Sequence, residues 1–265
     1  MSEPRRIVSL VPSLTEALFA LGLGERVVGV TDWCVHPADA VAGLPKLGGT
    51  KDPDVEAIAA LAPDLVIANR EENTRRVVER LQQRGIRVWV TYPRSVQEGA
   101  ALLRELAGLG ASREAVAAVV EPVEQAVADA ERTLAAAKPA GSFRPGVFCP
   151  VWRDPWMSVG RDTYAHTLLE LCGGRNVFAH RVERRYPIVK LGEVEALRPE
   201  VILLPDEPYP FSEPDVRELA RLDVPAARLG RIHRIDGTWV SWYGPRIRIA
   251  LSALRELLEP VGAEA

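Results

Sequence analysis

The fold is decided by residues 112–137, which read SREAVAAVVEPVEQAVADAERTLAAA. Apolar side chains recur at positions 116, 119, 120, 123, 127, 130 and 134, the spacing of one helix face. At the rise of an α-helix this segment spans roughly 39 Å. Pro122 lies inside it and predicts a kink or a break. A helix of this length predicts a connector between two lobes rather than a crossover inside one sheet.

On both sides of this helix, short apolar runs alternate with helical patterns, which is typical of α/β layers with mainly parallel strands. The predicted strands are Arg6–Val11, Val27–Thr31, Leu65–Asn69, Ile86–Thr91, Gly146–Val151, Val201–Pro205, Ala226–Leu229 and Ile232–Asp236. The fold class that follows is two α/β lobes with mainly parallel sheets, joined by one long helix. The predicted boundaries are 1–111 for the first lobe, 112–138 for the connecting helix and 139–265 for the second lobe.

The composition of the 265 residues excludes several classes of protein. Hydrophobic residues make up 47% and charged residues 26%, which is a globular composition. The net charge of -3 provides no basic field for nucleic acid. No apolar run approaches the roughly 20 residues that span a bilayer, so we expect no membrane insertion.

The first residues, Met1–Val11, show neither an apolar signal core nor a small-residue cleavage site. The chain as given is therefore expected to be cytoplasmic. An export segment outside this chain would instead place the protein in the periplasm or on the cell surface.

Three cysteines, Cys34, Cys149 and Cys172, form neither an even framework nor a close metal-binding pair, so we expect reduced, buried thiols and no metal site. Cys34 and His36 are two residues apart and could act as nucleophile and base, which leaves a thiol-dependent enzyme as an alternative. No third orienting residue is evident. The prediction is a non-enzyme with no catalytic residues and no intrinsic cofactor, in which His36 could be an axial ligand to a metal already held in a chelate.

Aromatic and charged side chains are concentrated in the loops that follow the predicted strands, where ligands bind in open α/β sheets. These loops hold Trp33, Tyr92, Trp152, Trp156, Tyr209, Trp242 and Tyr243, together with Arg70, Arg153, Asp206 and Arg246. Such aromatics can simply cap a core. Several at the same sheet edges, beside arginines and acids, favour a large, flat ligand with a polar rim.

A series of short motifs carries a resemblance that covers nearly the whole chain. The motifs are Arg6–Leu10 with Pro12–Glu16, Val28–Thr31, Pro63–Ile67, Cys172–Phe178, Tyr186-Pro187 followed by Val189, and Arg198–Ile202. In this order they resemble the class III periplasmic binding proteins, the substrate-binding proteins of cobalamin, haem and siderophore ABC importers. The resemblance implies two α/β lobes bridged by a long helix, with the ligand in a cleft between the lobes.

Within that family the pattern is most similar to the cobalamin-binding members. The resemblance implies that Trp33 stacks on the ligand and that Tyr186 and the loops at 152–157 and 242–246 contact it. Thr50 stands where those members have a further stacking tryptophan, so haem or an iron–siderophore complex remains an alternative to a corrinoid ligand. The full set of predicted ligand-binding residues is Trp33, His36, Arg70, Trp152, Arg153, Trp156, Tyr186, Asp206, Trp242, Tyr243 and Arg246.

Family members also dock on a permease through one exposed acid on each lobe. Glu56 matches the first acid. The second position aligns with Gly192, and Glu193 is one residue further on. The expected partners are therefore a small metal-chelate ligand and a candidate ABC-importer permease, and the protein is expected to be a monomer.

Overall fold

The structure, a computed structural model, describes residues 3–137 and 143–259. The chain divides into two compact units. Unit 1 comprises Met1–Pro93, Glu98–Glu124 and Tyr243–Pro245, and unit 2 comprises Arg94–Gln97, Gln125–Trp242 and Arg246–Ala265. The three-part division at 111 and 138 stays a prediction, and its residues 1–2, 138–142 and 260–265 lie outside the described residues.

Unit 1 contains a four-stranded parallel sheet. Its strands are β1 (Ile7–Ser9), β2 (Val27–Val30), β3 (Leu65–Asn69) and β4 (Val88–Thr91). They lie in the order β2-β1-β3-β4, and β3 is buried along its whole length. Because the strands are parallel, their carboxyl ends share one edge of the sheet.

Helices flank these strands and bury their apolar sides. They are α1 (Pro12–Ala20), α2 (Ala38–Ala42), α3 (Val55–Ala60), α4 (Arg75–Gln83) and α5 (Val96–Ala107), with a 3-10 turn at Gly24–Arg26. Ile58 of α3 and Leu81 of α4 pack with Val8 and Val66 of the sheet in one core cluster. Removing such side chains from water is the main driving force for folding.

The long helix is confirmed. It consists of α6 (Arg113–Ala115), a π-helical turn (Val116–Val120) and α7 (Glu121–Ala137). Pro122 does not break it. Since proline has no N–H to donate, the backbone widens just before it, and Glu121 N–H donates to the carbonyl of Val116, five residues back.

Unit 2 contains a second parallel sheet and a small antiparallel pair. The strands are β5 (Gly146–Phe148), β6 (Pro150–Trp152), β7 (Met157–Ser158), β8 (Arg175–Asn176), β9 (Val201–Pro205) and β10 (Ile232–Ile235). The parallel sheet has the order β10-β9-β5-β8, and β6 pairs with β7. The helices are α8 (Tyr164–Leu171), α9 (Leu191–Leu197), α10 (Glu213–Leu219), α11 (Pro225–Arg228), α12 (Thr238–Ser241) and α13 (Arg246–Leu258).

The α/β class with mainly parallel sheets is confirmed, and two local predictions are wrong. The strand expected at Ala226–Leu229 is the helix α11, because Pro225 at its first position has a backbone angle already set for a helix. The single strand expected at Gly146–Val151 is divided at Cys149 into β5 and β6.

Candidate ligand-binding surfaces

The loop after β2 exposes Trp33 by burying its neighbour Cys34. The Cys34 thiol is fully buried and lies 3.1 Å from Thr15 Oγ1 and 3.2 Å from Thr31 Oγ1. The backbone is held by a 2.9 Å hydrogen bond from Asp32 N–H to the Gly48 carbonyl. With the chain fixed in this way, 65% of Trp33 is exposed. The structure therefore places the predicted stacking residue on the surface at the carboxyl end of β2.

The surroundings of Cys34 give no support to a thiol-dependent enzyme. Burial raises the pKa of the Cys34 thiol, an effect that hydrogen bonds involving Thr15 and Thr31 only partly offset. A thiol with a raised pKa is protonated at neutral pH, whereas the nucleophile in such enzymes is the thiolate. His36 is half-buried and is joined to Pro37 by a cis peptide bond.

Arg70 and Tyr92 come together because β3 and β4 are neighbours in the sheet. The Arg70 N–H donates to the Thr91 carbonyl at 3.0 Å, and the Arg70 guanidinium carbon lies 4.8 Å from the centroid of the Tyr92 ring. This is the geometry of a cation–π contact. Arg70 is exposed, so an arginine backed by an aromatic ring stands at the same sheet edge as Trp33.

A row of apolar side chains crosses the small sheet of unit 2. Trp152 pairs with Met157 across β6 and β7, and Met157 pairs with Ile188 on its other side. Directly paired residues have their side chains on one face of a sheet. Trp152 and Ile188 are each 43% exposed. We call Trp152, Met157 and Ile188 the Trp152 row.

Tyr186 and Tyr209 border the Trp152 row. Ser158 N–H donates to the Pro187 carbonyl at 3.0 Å, which fixes the segment of Tyr186 beside β7. The Tyr209 ring packs edge-on against Trp152, with centroids 5.7 Å apart. The sequence places Met157 in a predicted contact loop and Tyr209 among the aromatic residues of the loops. Their contacts with Trp152 show that both residues share its surface.

Two further predicted contact residues, Arg153 and Trp156, form their contacts with other residues of unit 2. Trp156 is only 9% exposed and stacks on Phe211 with ring centroids 5.7 Å apart. The Arg153 guanidinium forms ion pairs with Asp215 and, at 2.5 Å, with Glu218. It also lies 5.4 Å from the Trp156 ring centroid. Direct contact of either side chain with a ligand stays a prediction.

The Arg153–Asp215 pair also sets the charge of the aspartate. Burial alone would raise the pKa of Asp215, but hydrogen bonds from Ser212 and Arg153 outweigh it and hold that pKa below its usual value. Ser212 donates to Asp215 Oδ2 through its backbone N–H at 2.8 Å and its hydroxyl at 2.9 Å. The aspartate thus joins the loop of Trp152 to the start of α10.

The loops after β9 and β10 are tied together around Trp242. Gly237 N–H donates to Asp206 Oδ1 at 2.7 Å, and the Trp242 indole N–H donates to Glu207 Oε1 at 2.6 Å. A Cβ at Gly237 would lie 2.6 Å from the Glu207 backbone nitrogen, so only glycine fits. Arg246 lies 4.8 Å from the Trp242 ring centroid.

Exposure differs among the predicted contact residues of these loops. Asp206 is exposed and Arg246 half-buried, whereas Trp242 is only 6% exposed and Tyr243 is buried. Tyr243 belongs to unit 1, while Trp242 and Arg246 belong to unit 2. Glu207, which no sequence argument selected, is the hydrogen-bond acceptor that positions Trp242.

The two predicted docking acids lie in the first turns of short helices. Glu56 of α3 is exposed and forms ion pairs with Arg84 and, at 3.6 Å, with Arg80. Glu193 of α9 accepts the Lys190 N–H at 2.8 Å and pairs with Arg181 at 2.9 Å. Their docking role stays a prediction.

Other features of the described residues lie away from these surfaces. A groove of about 420 Å³ between β10 and α13 is lined by Trp239 and His233 among others, and it contains none of the predicted site residues. In residues 3–137 and 143–259, no three His, Cys, Asp or Glu side chains converge to hold a metal ion. Every helix in those ranges is too short or too polar to cross a bilayer.

Comparison with known proteins shows the family. The family model described as "Periplasmic binding protein" matches residues 7–236, and the chain belongs to that family. The vitamin B12-binding protein of Pectobacterium atrosepticum is 26% identical over 247 residues, which cover 93% of this chain and 86% of the relative.

Two solved structures are similar over nearly the whole chain. The periplasmic vitamin B12 binding protein of Vibrio cholerae has a TM-score of 0.82 at 24% identity, covering 97% of this chain and 98% of that one. A periplasmic heme binding protein from Pseudomonas aeruginosa has a TM-score of 0.81 at 27% identity, covering 97% of this chain and 94% of that one. The resemblance to class III periplasmic binding proteins is thereby confirmed, as is the fold expected from it.

Proposed function

We propose that this protein binds a corrinoid, or a related metal tetrapyrrole, without chemically changing it. The observation that carries the proposal is the exposure of Trp33 in unit 1 and of the Trp152 row in unit 2. Trp33 lies in the loop after the parallel strand β2, and Trp152 lies in the short strand β6 that comes directly after the parallel strand β5. The carboxyl ends of such parallel strands are where α/β proteins bind ligands. Stacking of a flat macrocycle on either surface would cover its apolar side chains, and the vitamin B12-binding relatives support a corrinoid as first candidate.

Polar side chains in the predicted contact loops would contact the rim of the ligand. Arg70 on the Tyr92 ring, exposed Asp206 and half-buried Arg246 are the candidates. We propose His36 as an axial ligand to the metal of the bound chelate, because a neutral imidazole is a common ligand of cobalt and iron. Haem is the second candidate ligand, supported by the heme-binding structure that is 27% identical.

Transport is the physiological role that the family supports. We propose that the protein delivers its ligand to an ABC-importer permease, with Glu56 and Glu193 as docking acids. The periplasmic relatives support a site of action outside the cytoplasmic membrane rather than in the cytoplasm. We expect a monomer, which sedimentation measurements can test.

Equilibrium dialysis with cyanocobalamin and, separately, haemin tests the binding proposal. We expect micromolar or tighter binding of at least one ligand, and a loss of about tenfold or more in the variant Trp33→Ala/Trp152→Ala, since tenfold corresponds to about 1.4 kcal/mol. Trp239→Ala, in the groove beside β10, is the matched control and should bind like wild type. Equal affinities of the double variant and wild type would rule out these two surfaces.

A further inference from the structure

Two segments of unit 2 bring three arginines to one place, and Arg94 of the same unit adds a fourth through its ion pair with Asp162. Gly160 N–H donates to the Arg185 carbonyl at 2.6 Å, which joins the segment of residues 160–162 to that of residues 184–186. A Cβ at Gly160 would lie 2.8 Å from the carbonyl oxygens of both Arg184 and Arg185. Glycine is therefore required for this close approach, and it sets Arg161 beside Arg184 and Arg185.

Asp162 is the one carboxylate that these segments provide for the four arginines. It pairs with Arg185 at 3.0 Å and with Arg94 at 3.6 Å. Arg161 and Arg184 are both exposed, and neither forms an ion pair with any residue in the ranges 3–137 and 143–259. The neighbouring Arg181 differs, because Glu183 holds it at 2.5 Å. Two guanidinium groups thus remain available beside a site of net positive charge.

This cluster is continuous with the Trp152 row. Ser158, two residues before Gly160, is hydrogen-bonded to the Pro187 carbonyl, and Met157 pairs with Ile188. The same two segments therefore present an apolar row and a cationic end. A ligand that stacks on Trp152 would have its rim within reach of arginine side chains, which extend several ångströms from the backbone.

We infer that Arg161 and Arg184 bind an anionic oxygen group on the rim of the metal tetrapyrrole, an inference that rests on the proposed function. The planar fork of a guanidinium matches the paired oxygens of a carboxylate or a phosphodiester. Haem carries carboxylates and cobalamin carries a phosphodiester, so the same two arginines suit either ligand. Amide groups of a corrin ring would gain much less from two positive charges.

Paired ligands that differ in this group test the inference. Haemin is compared with its dimethyl ester, and cyanocobalamin with dicyanocobinamide, which lacks the phosphodiester together with the ribose and the benzimidazole base of the nucleotide. Each is titrated against wild type, the variant Arg161→Gln/Arg184→Gln, and the charge-matched control Arg217→Gln/Arg221→Gln, whose arginines lie on or just after α10. Intact folding of each variant is verified by its melting temperature.

We expect wild type and the control to bind the anionic member of one pair about tenfold or more tightly than its neutral analogue. The difference should decrease in Arg161→Gln/Arg184→Gln and stay unchanged in the control, and the wild-type affinity should fall with added salt. The pair that shows the effect identifies the ligand group as carboxylate or phosphodiester. An unchanged preference in the variant would overturn this inference and leave the proposed function intact. No binding of any tetrapyrrole by wild type would overturn both.

Discussion

Trp33 and Trp156 are both loop tryptophans, yet Trp33 is exposed and Trp156 is buried. Trp33 is 65% exposed because Cys34 anchors the adjacent backbone, whereas Trp156 is packed on Phe211 inside unit 2. An exposed ring adds little to stability and can be covered by a ligand. A buried ring adds stability that truncation removes, because it leaves a cavity.

We predict that Trp33→Ala changes the free energy of unfolding by no more than about 0.5 kcal/mol and weakens ligand binding. Trp156→Ala should lower the free energy of unfolding by about 3–5 kcal/mol. Urea denaturation of both variants measures the contrast. Similar losses of stability in the two would show that the Trp33 ring is packed in solution.

Cys34 yields a second prediction at the scale of one residue. Because its thiol is buried and its pKa raised, we expect slow labelling of Cys34 by iodoacetamide at neutral pH and fast labelling in concentrated urea. Peptide mass spectrometry after timed quenching distinguishes Cys34 from the other two thiols. Rapid labelling in the folded protein would support the alternative of a thiol-dependent enzyme, because such an enzyme requires an accessible thiolate.

Among the elements, α10 shows how a helix cap supports a binding loop. Asp215 accepts two hydrogen bonds from Ser212 at the helix start and pairs with Arg153 next to Trp152. We predict that Asp215→Asn lowers the free energy of unfolding by about 1–3 kcal/mol at neutral pH.

The pH dependence of this loss has a definite sign. The folded pKa of Asp215 lies below the unfolded value of 3.8, so its ionised form stabilises the protein above that pH. As the pH falls below 3.8 toward the folded pKa, wild type loses this contribution and the gap to Asp215→Asn should narrow. Urea unfolding near neutral pH and at about pH 3 tests this, and a gap that widens in acid would contradict it.

Elements with strong periodicity could be predicted from the sequence, and short ones could not. The long helix and the buried strand Leu65–Asn69 follow from local pattern alone. The sequence predicts a strand where the helix Pro225–Arg228 lies, because four residues carry too little periodicity to distinguish a helix from a strand. The local pair β6–β7 was not predicted because strands of three and two residues are too short to show the alternation of a strand.

At the scale of the whole molecule, each unit exposes an aromatic side chain in the segment that comes after a parallel strand, Trp33 after β2 and Trp152 after β5. That much of the candidate site could be predicted, because strand ends and loop composition are local properties. The sequence could not predict which tryptophans are exposed, because Trp33, Trp156 and Trp242 stand in loops of similar composition. The difference depends on distant partners such as Phe211 for Trp156 and Glu207 for Trp242.

The central claim is that this family member binds a metal tetrapyrrole on its exposed tryptophans. The most direct test is a tryptophan-fluorescence titration of the wild-type protein with cyanocobalamin and, in parallel, haemin, corrected for absorption by the ligand. We predict saturable quenching by at least one of them at micromolar or tighter affinity. A corrected signal that stays flat through an excess of both ligands would contradict the claim.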